Sequence, residues 1–118
     1  MEYMLLIYSD PSGFERLGES QVKEALAAYG AYHEALQKAG VFRGSHRLRP
    51  PQTATTVRLQ SGKSEVLNGP YADTREQLGG YFLVDVPDLD AALSWAARCP
   101  GASHGIVEVR PIWPMGQA

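Results

Sequence analysis

The sequence is poor in the residues that announce chemistry. Its 118 residues include one cysteine, Cys99, so an internal disulfide is excluded and so is a thiolate cluster for zinc or iron–sulfur. The three histidines, His33, His46 and His104, are scattered without the close spacing of a metal box. No glycine-rich dinucleotide loop, phosphate-cradling loop or serine nucleophile elbow occurs. Long apolar runs are missing as well. The opening run from Tyr3 to Tyr8 falls far short of the ~20 residues that span a bilayer. It has no basic leader and no small-residue cleavage site, so a cytoplasmic location is expected. Charge of one sign is also lacking: eleven basic and thirteen acidic side chains give −2, with a pI near 5.9. That balance argues against nucleic acid or an anionic membrane as partner, since both reward a concentrated basic face.

What remains is ordinary globular composition, 44% hydrophobic and 20% charged, in a length suited to one domain spanning residues 1–118. Tyr3 to Tyr8, closed by Ser9-Asp10-Pro11-Ser12-Gly13, reads as a strand buried on both faces. Glu19 to Ala39 has a helix composition, with Ser20 as N-cap and Gly40 as stop. At 100° per residue, Val22, Leu26, Tyr29, His33 and Leu36 share one side of it. Val41 to Gln52 reads as irregular because Gly44 and Pro50-Pro51 interrupt it. Thr53 to Leu59 and Glu65 to Leu67 form a hairpin about Ser61-Gly62-Lys63. Ala72 to Leu78 suggests one helical turn, Thr74 and Gln77 having the spacing of a capping box. Tyr81 to Val86 is a strand, Leu89 to Cys99 a helix capped by Asp88, and Ile106 to Ile112 a final strand, at an edge because of Pro111.

The expected order is β-α-β-β-β-α-β, a ferredoxin-like α+β sandwich with an antiparallel sheet and two helices on one face. Two helices cover only one face of such a sheet. Tyr3, Leu5 and Ile7 point one way while Met4, Leu6 and Tyr8 point the other, so a second copy is the expected cover and a homodimer the expected state.

The segment Asn68-Gly69-Pro70-Tyr71-Ala72-Asp73-Thr74-Arg75-Glu76, followed by Gly80-Tyr81, resembles the signature of the YCII-related family, DGPF branch. That signature runs roughly D-G-P-F-x-E-T-K-E-x-x-x-G-[YF]. The opening strand, the Ala91-Ala92-Leu93-x-Trp95-Ala96 helix and the closing Val107-Glu108-Val109-Arg110-Pro111 are similar too. The resemblance implies a ferredoxin-like protomer in a dimeric α/β barrel. It also implies a cleft of the kind in which a His–Asp pair has been proposed for relatives, or an accessory role of the sigma-factor-associated type. This chain departs from the signature at Asn68, where the family has aspartate. An amide hydrogen-bonds a ligand but takes up no proton near neutral pH, so a general base at that position would be lost. Tyr71, Asp73 and Arg75 replace phenylalanine, glutamate and lysine and keep the chemical type.

Two functional expectations follow. In the first, a cleft binds a small polar molecule. His33 and Asp73 are the catalytic candidates: His33 moves protons while Asn68, Tyr71 and Asp73 orient the substrate, Arg75 and Glu76 line the entrance, and no cofactor is needed for lyase, isomerase or hydrolase chemistry. Beside it stands the plainer reading of His33 as a core histidine satisfied by a neighbour. Likewise Asn68–Tyr71 is a turn, and Asp73, Arg75 and Glu76 a solvated ion-pair face. In the second expectation the protein is a non-catalytic accessory module acting through protein contacts, for which the basic stretch Arg43, His46, Arg47 and Arg49 offers a surface. Nucleic acid fits that stretch poorly, because only Phe42 supplies an aromatic neighbour.

Overall fold

The computed structural model describes residues 1–116. Its main sheet has four antiparallel strands in the order β2-β5-β1-β6, where β1 is Glu2–Ser9, β2 Phe42–Arg47, β5 Gln77–Asp85 and β6 Ile106–Pro111. The long helix α2 (Glu19–Lys38) follows β1, after a short α1 (Pro11–Glu15). Helix α3 (Leu89–Arg98) and the short α4 (Gly101–His104) precede β6. Taken with β2 and β5, this is the β-α-β-β-α-β arrangement of a ferredoxin-like fold. Strands β3 (Thr55–Gln60) and β4 (Lys63–Asn68) form a separate two-stranded sheet inserted between β2 and β5.

One face of the main sheet makes the core. Alternation puts Tyr3, Leu5 and Ile7 of β1 beside Phe82 and Val84 of β5, and Val86 continues the row just beyond the strand. Tyr32 and Leu36 of α2 and Ala92 and Ala96 of α3 close over them. The Tyr32 ring meets Phe82 edge-on at 5.1 Å, and its hydroxyl donates to the Trp95 carbonyl at 2.7 Å. Asp88 caps α3 by accepting from the Ala91 N–H at 2.9 Å. At the end of α2 the chain turns through Gly40 in the left-handed region, φ 74°, as a glycine stop requires.

Several local expectations are corrected. The N-cap of α2 is Gly18, whose N–H donates to the Gln21 side chain, and Ser20 lies inside the helix. The buried side of α2 is centred on Tyr32 and Leu36, while Leu26 is half exposed. Phe42–Arg47 is a strand although it reads as irregular. It sits at the sheet edge, carries a bulge between Phe42 and Gly44, and buries almost nothing, so its pattern is weak. Gly80 lets β2 approach β5 closely: a Cβ there would lie 2.7 Å from the His46 carbonyl oxygen. No helix forms over Ala72–Leu78. Thr74 donates to the Glu76 carbonyl and the Gln77 amide donates to the carbonyls of Ala72 and Thr74, a tight turn leading directly into β5. The opening strand is buried on one face only; Met4, Leu6 and Tyr8 on the other are half-buried.

The hairpin is where the fold departs most from expectation. It reads as part of the sheet, yet all its residues except Thr56 are exposed. Its turn is Ser61-Gly62, both with positive φ (51° and 78°), the conformation that matches strand twist in a two-residue hairpin. Registered pairs place Val57, Leu59 and Val66 on one face and Thr56, Arg58, Glu65 and Leu67 on the other. The Cα atoms fit within 48 × 46 × 18 Å, with a radius of gyration of 16.3 Å, against about 13–14 Å for a compact chain of this length. The short axis has room for one helix layer on one sheet. The hairpin is therefore folded over neither face of its own body.

Candidate functional site

The root of the hairpin holds a partly polar concavity. Gly69, φ 101°, donates its N–H to the Ala54 carbonyl at 2.8 Å and accepts from the Thr56 hydroxyl at 2.8 Å. A β-carbon at that φ is strained. The turn so fixed sends Pro70 and Tyr71 back beside the polar face of the hairpin. The result is an open concavity of about 270 Å³ lined by Arg58, Glu65, Leu67, Asn68 and Tyr71. Arg58 and Glu65 stand opposite one another in the β3–β4 register. Arg58, Glu65 and Tyr71 thus bring a guanidinium, a carboxylate and a phenol to one space, with Asn68 at its edge, so it offers both hydrogen-bond donors and acceptors. On the other side of Pro70 lies a second hollow, of about 320 Å³, walled by Leu48, Pro50, Pro51 and Leu78 with Arg49 as its only charged group.

Of the residues singled out in the sequence, Asn68 and Tyr71 meet in the first concavity. His33 lines neither. It is half-buried on α2, edge-on to the Phe42 ring at 4.3 Å. Asp73 is exposed in the turn before β5. Arg75 reaches away from that turn and donates from Nε to Asp10 Oδ2 at 3.0 Å. Hydrogen bonds from Ser12 and then from Arg75 hold the Asp10 carboxyl down at about 2, and the same contact raises Arg75. Glu76 is half-buried beside them. The basic stretch is divided in the structure: Arg43 lies 3.6 Å from Asp85, while His46 turns to Tyr81. Among the described residues no group of histidine, cysteine and acidic side chains is placed to hold a metal ion. No helix among them is long and apolar enough to cross a membrane.

Arg58 and Glu65 carry little signal in the sequence, because lone charges on strands usually face solvent. The signal that exists is the two-residue Ser61-Gly62 turn, which sets position 58 against 65.

The sheet face away from the helices, the face expected to need cover, carries a second arrangement. Met4, Leu6 and Leu83 lie at its centre. On one side the His46 Nδ1 and the Tyr81 hydroxyl share a hydrogen bond of 2.7 Å. On the other, Glu108 accepts from the Tyr8 hydroxyl at 3.3 Å and from Arg110 Nε at 3.0 Å. An apolar centre with a polar margin is the anatomy of an interface.

Cys99 is buried at the end of α3, and burial pushes its thiol up. The Tyr29 phenol is pushed up to about 12, first by burial and then by the nearby Cys99. A raised thiol is a poor nucleophile, which fits a packing role.

The family comparison covers the same span as the fold. Residues 1–116 match the model of the YCII-related domain. An uncharacterised protein of Rhizobium meliloti (strain 1021) is 34% identical over 114 residues, 95% of this chain and 92% of the relative.

Proposed function

The chain belongs to the YCII-related family, and we propose that it binds a small polar molecule at the root of the β3–β4 hairpin and works as a homodimer. One observation carries the binding reading: Asn68 and Tyr71 share a concavity of about 270 Å³ with the opposed Arg58 and Glu65. That volume equals about nine waters at ~30 Å³ each, which suits a small metabolite with both donor and acceptor groups. Arg58 would take an anionic or carbonyl group, Glu65 a donor, and Asn68 either. Tyr71 would flank the molecule with its ring.

No proton-transfer step belongs to this reading. His33 packs on Phe42 outside the concavity, and Asn68 replaces the acid of the family signature. The homodimer is supported by the interface-like open face around Met4, Leu6 and Leu83. The second reading, an accessory module acting through protein contacts, is favoured by the exposed apolar strip Val57, Leu59 and Val66.

The test is an NMR titration of the ¹⁵N-labelled protein with a panel of free amino acids and small hydroxy acids. Binding at the proposed place shifts the Asn68 side-chain amide and the Gly69 amide. Asn68→Ala and Tyr71→Ala abolish the shifts, while His33→Ala preserves them. A panel that leaves Asn68 and Gly69 unmoved, or shifts that survive both substitutions, overturns the binding reading.

A further inference from the structure

An isolated two-stranded hairpin is at best marginally stable in water. This one carries an apolar face that its own chain leaves open: Val57 is 63% exposed, Leu59 71% and Val66 62%. The opposite face carries the charged pair Arg58 and Glu65 with Thr56 and Leu67, and it lines the concavity at the root. The two faces therefore have separate tasks, and the apolar one calls for cover from outside the protomer.

We infer that the β3–β4 hairpin is an arm that lies with its Val57–Leu59–Val66 face against a second copy of this chain. The inference rests on the homodimer proposed above and extends it. Area argues for the second copy. Four strands ~4.8 Å apart and about six residues long give the open sheet face about 380 Å² in projection. Two such faces together fall below the ~1,200 Å² at which stable interfaces begin. The hairpin face adds about 200 Å² by the same spacing. Two sheets and two arms together come close to that threshold in flat projection alone, before the relief of the side chains is counted. Symmetry points the same way. Each chain carries both an uncovered sheet face and an uncovered arm, so one two-fold arrangement covers all four surfaces at once. A different protein would have to supply two matching surfaces of its own.

The experiment is hydrogen–deuterium exchange of the full chain across a dilution series, with the mass in solution followed in parallel by light scattering. The arm reading predicts a dimer in which the backbone amides of Thr55–Asn68 are protected, with protection lost as the dimer dissociates. Leu59→Lys and Val66→Thr should raise the dimer Kd by about tenfold to a hundredfold, the effect of leaving one or two aliphatic side chains unburied. They should leave exchange in β1 and β5 of the dissociated protomer unchanged. A dimer whose Thr55–Asn68 amides exchange freely at every concentration overturns the arm and leaves the homodimer standing. A monomer throughout the series overturns both.

Discussion

Removing the hairpin is the perturbation that separates the body from its insertion. Deleting residues 55–68 and joining Ala54 to Gly69 through two glycines uses ends that already touch, the Gly69 N–H donating to the Ala54 carbonyl at 2.8 Å. The cost follows from burial. No large apolar side chain in the segment is buried, and the hairpin pairs with no strand of the main sheet. The body gives up the hydrogen bond from the half-buried Thr56 hydroxyl to the Gly69 carbonyl, worth about 1 kcal/mol. Shortening the β2–β5 connection by somewhat less than half returns about 0.5 kcal/mol of closure entropy. The deletion is therefore expected to change the stability of the protomer fold by less than about 1 kcal/mol. Leu36→Ala, at a fully buried position on the core side of α2, should cost about 2–5 kcal/mol. Urea unfolding followed by circular dichroism, at concentrations where the protomer is dissociated, measures both. A deletion variant that is unfolded, or weaker than Leu36→Ala, would refute the separation of hairpin and body.

Two further predictions concern ionisation and reactivity. Because the Asp10 carboxyl is held at about 2, below its ordinary 3.8, its contribution to stability is present above pH ~4 and is lost as the pH falls toward 2. A carbon-detected NMR titration should find the Asp10 midpoint near 2, rising only part of the way in Arg75→Ala because the Ser12 hydrogen bonds remain; a wild-type midpoint near 3.8 contradicts the Arg75 and Ser12 bonds. Cys99, buried and with its thiol raised, should react with a chromogenic disulfide at least about tenfold more slowly in the native protein than in urea, and equal rates would show an open site.

The parts legible in sequence are those in which local pattern and global burial agree. The strand at Tyr3–Tyr8, the helix ending at Gly40 and the Asp88 cap each carry their own signal, and the two-helix, one-face arrangement follows from them. Strand β2 is hidden because Arg43, Gly44, Ser45 and His46 form an edge with a bulge and almost no apolar inward set. The hairpin is visible as a hairpin, since the turn residues and alternation are local. That it joins no larger sheet is not visible, because alternation over Thr53–Leu59 is the pattern of any half-buried strand and the uncovered face is a tertiary fact. The same gap affects the site. Asn68 and Tyr71 can be picked from the turn, but their neighbours Arg58 and Glu65 come from strands whose placement the sequence does not give. His33 lies on the apolar stripe of an ideal helix, and the observed helix buries Tyr32 beside it, leaving the imidazole on Phe42.

The homodimer proposed above, in which a second copy covers the open sheet face and the arm, is open to a single measurement, sedimentation equilibrium of the unmodified protein. The expected result is a species of twice the 12.9 kDa chain mass that dissociates on dilution. A single species of 12.9 kDa at every concentration reached would contradict it.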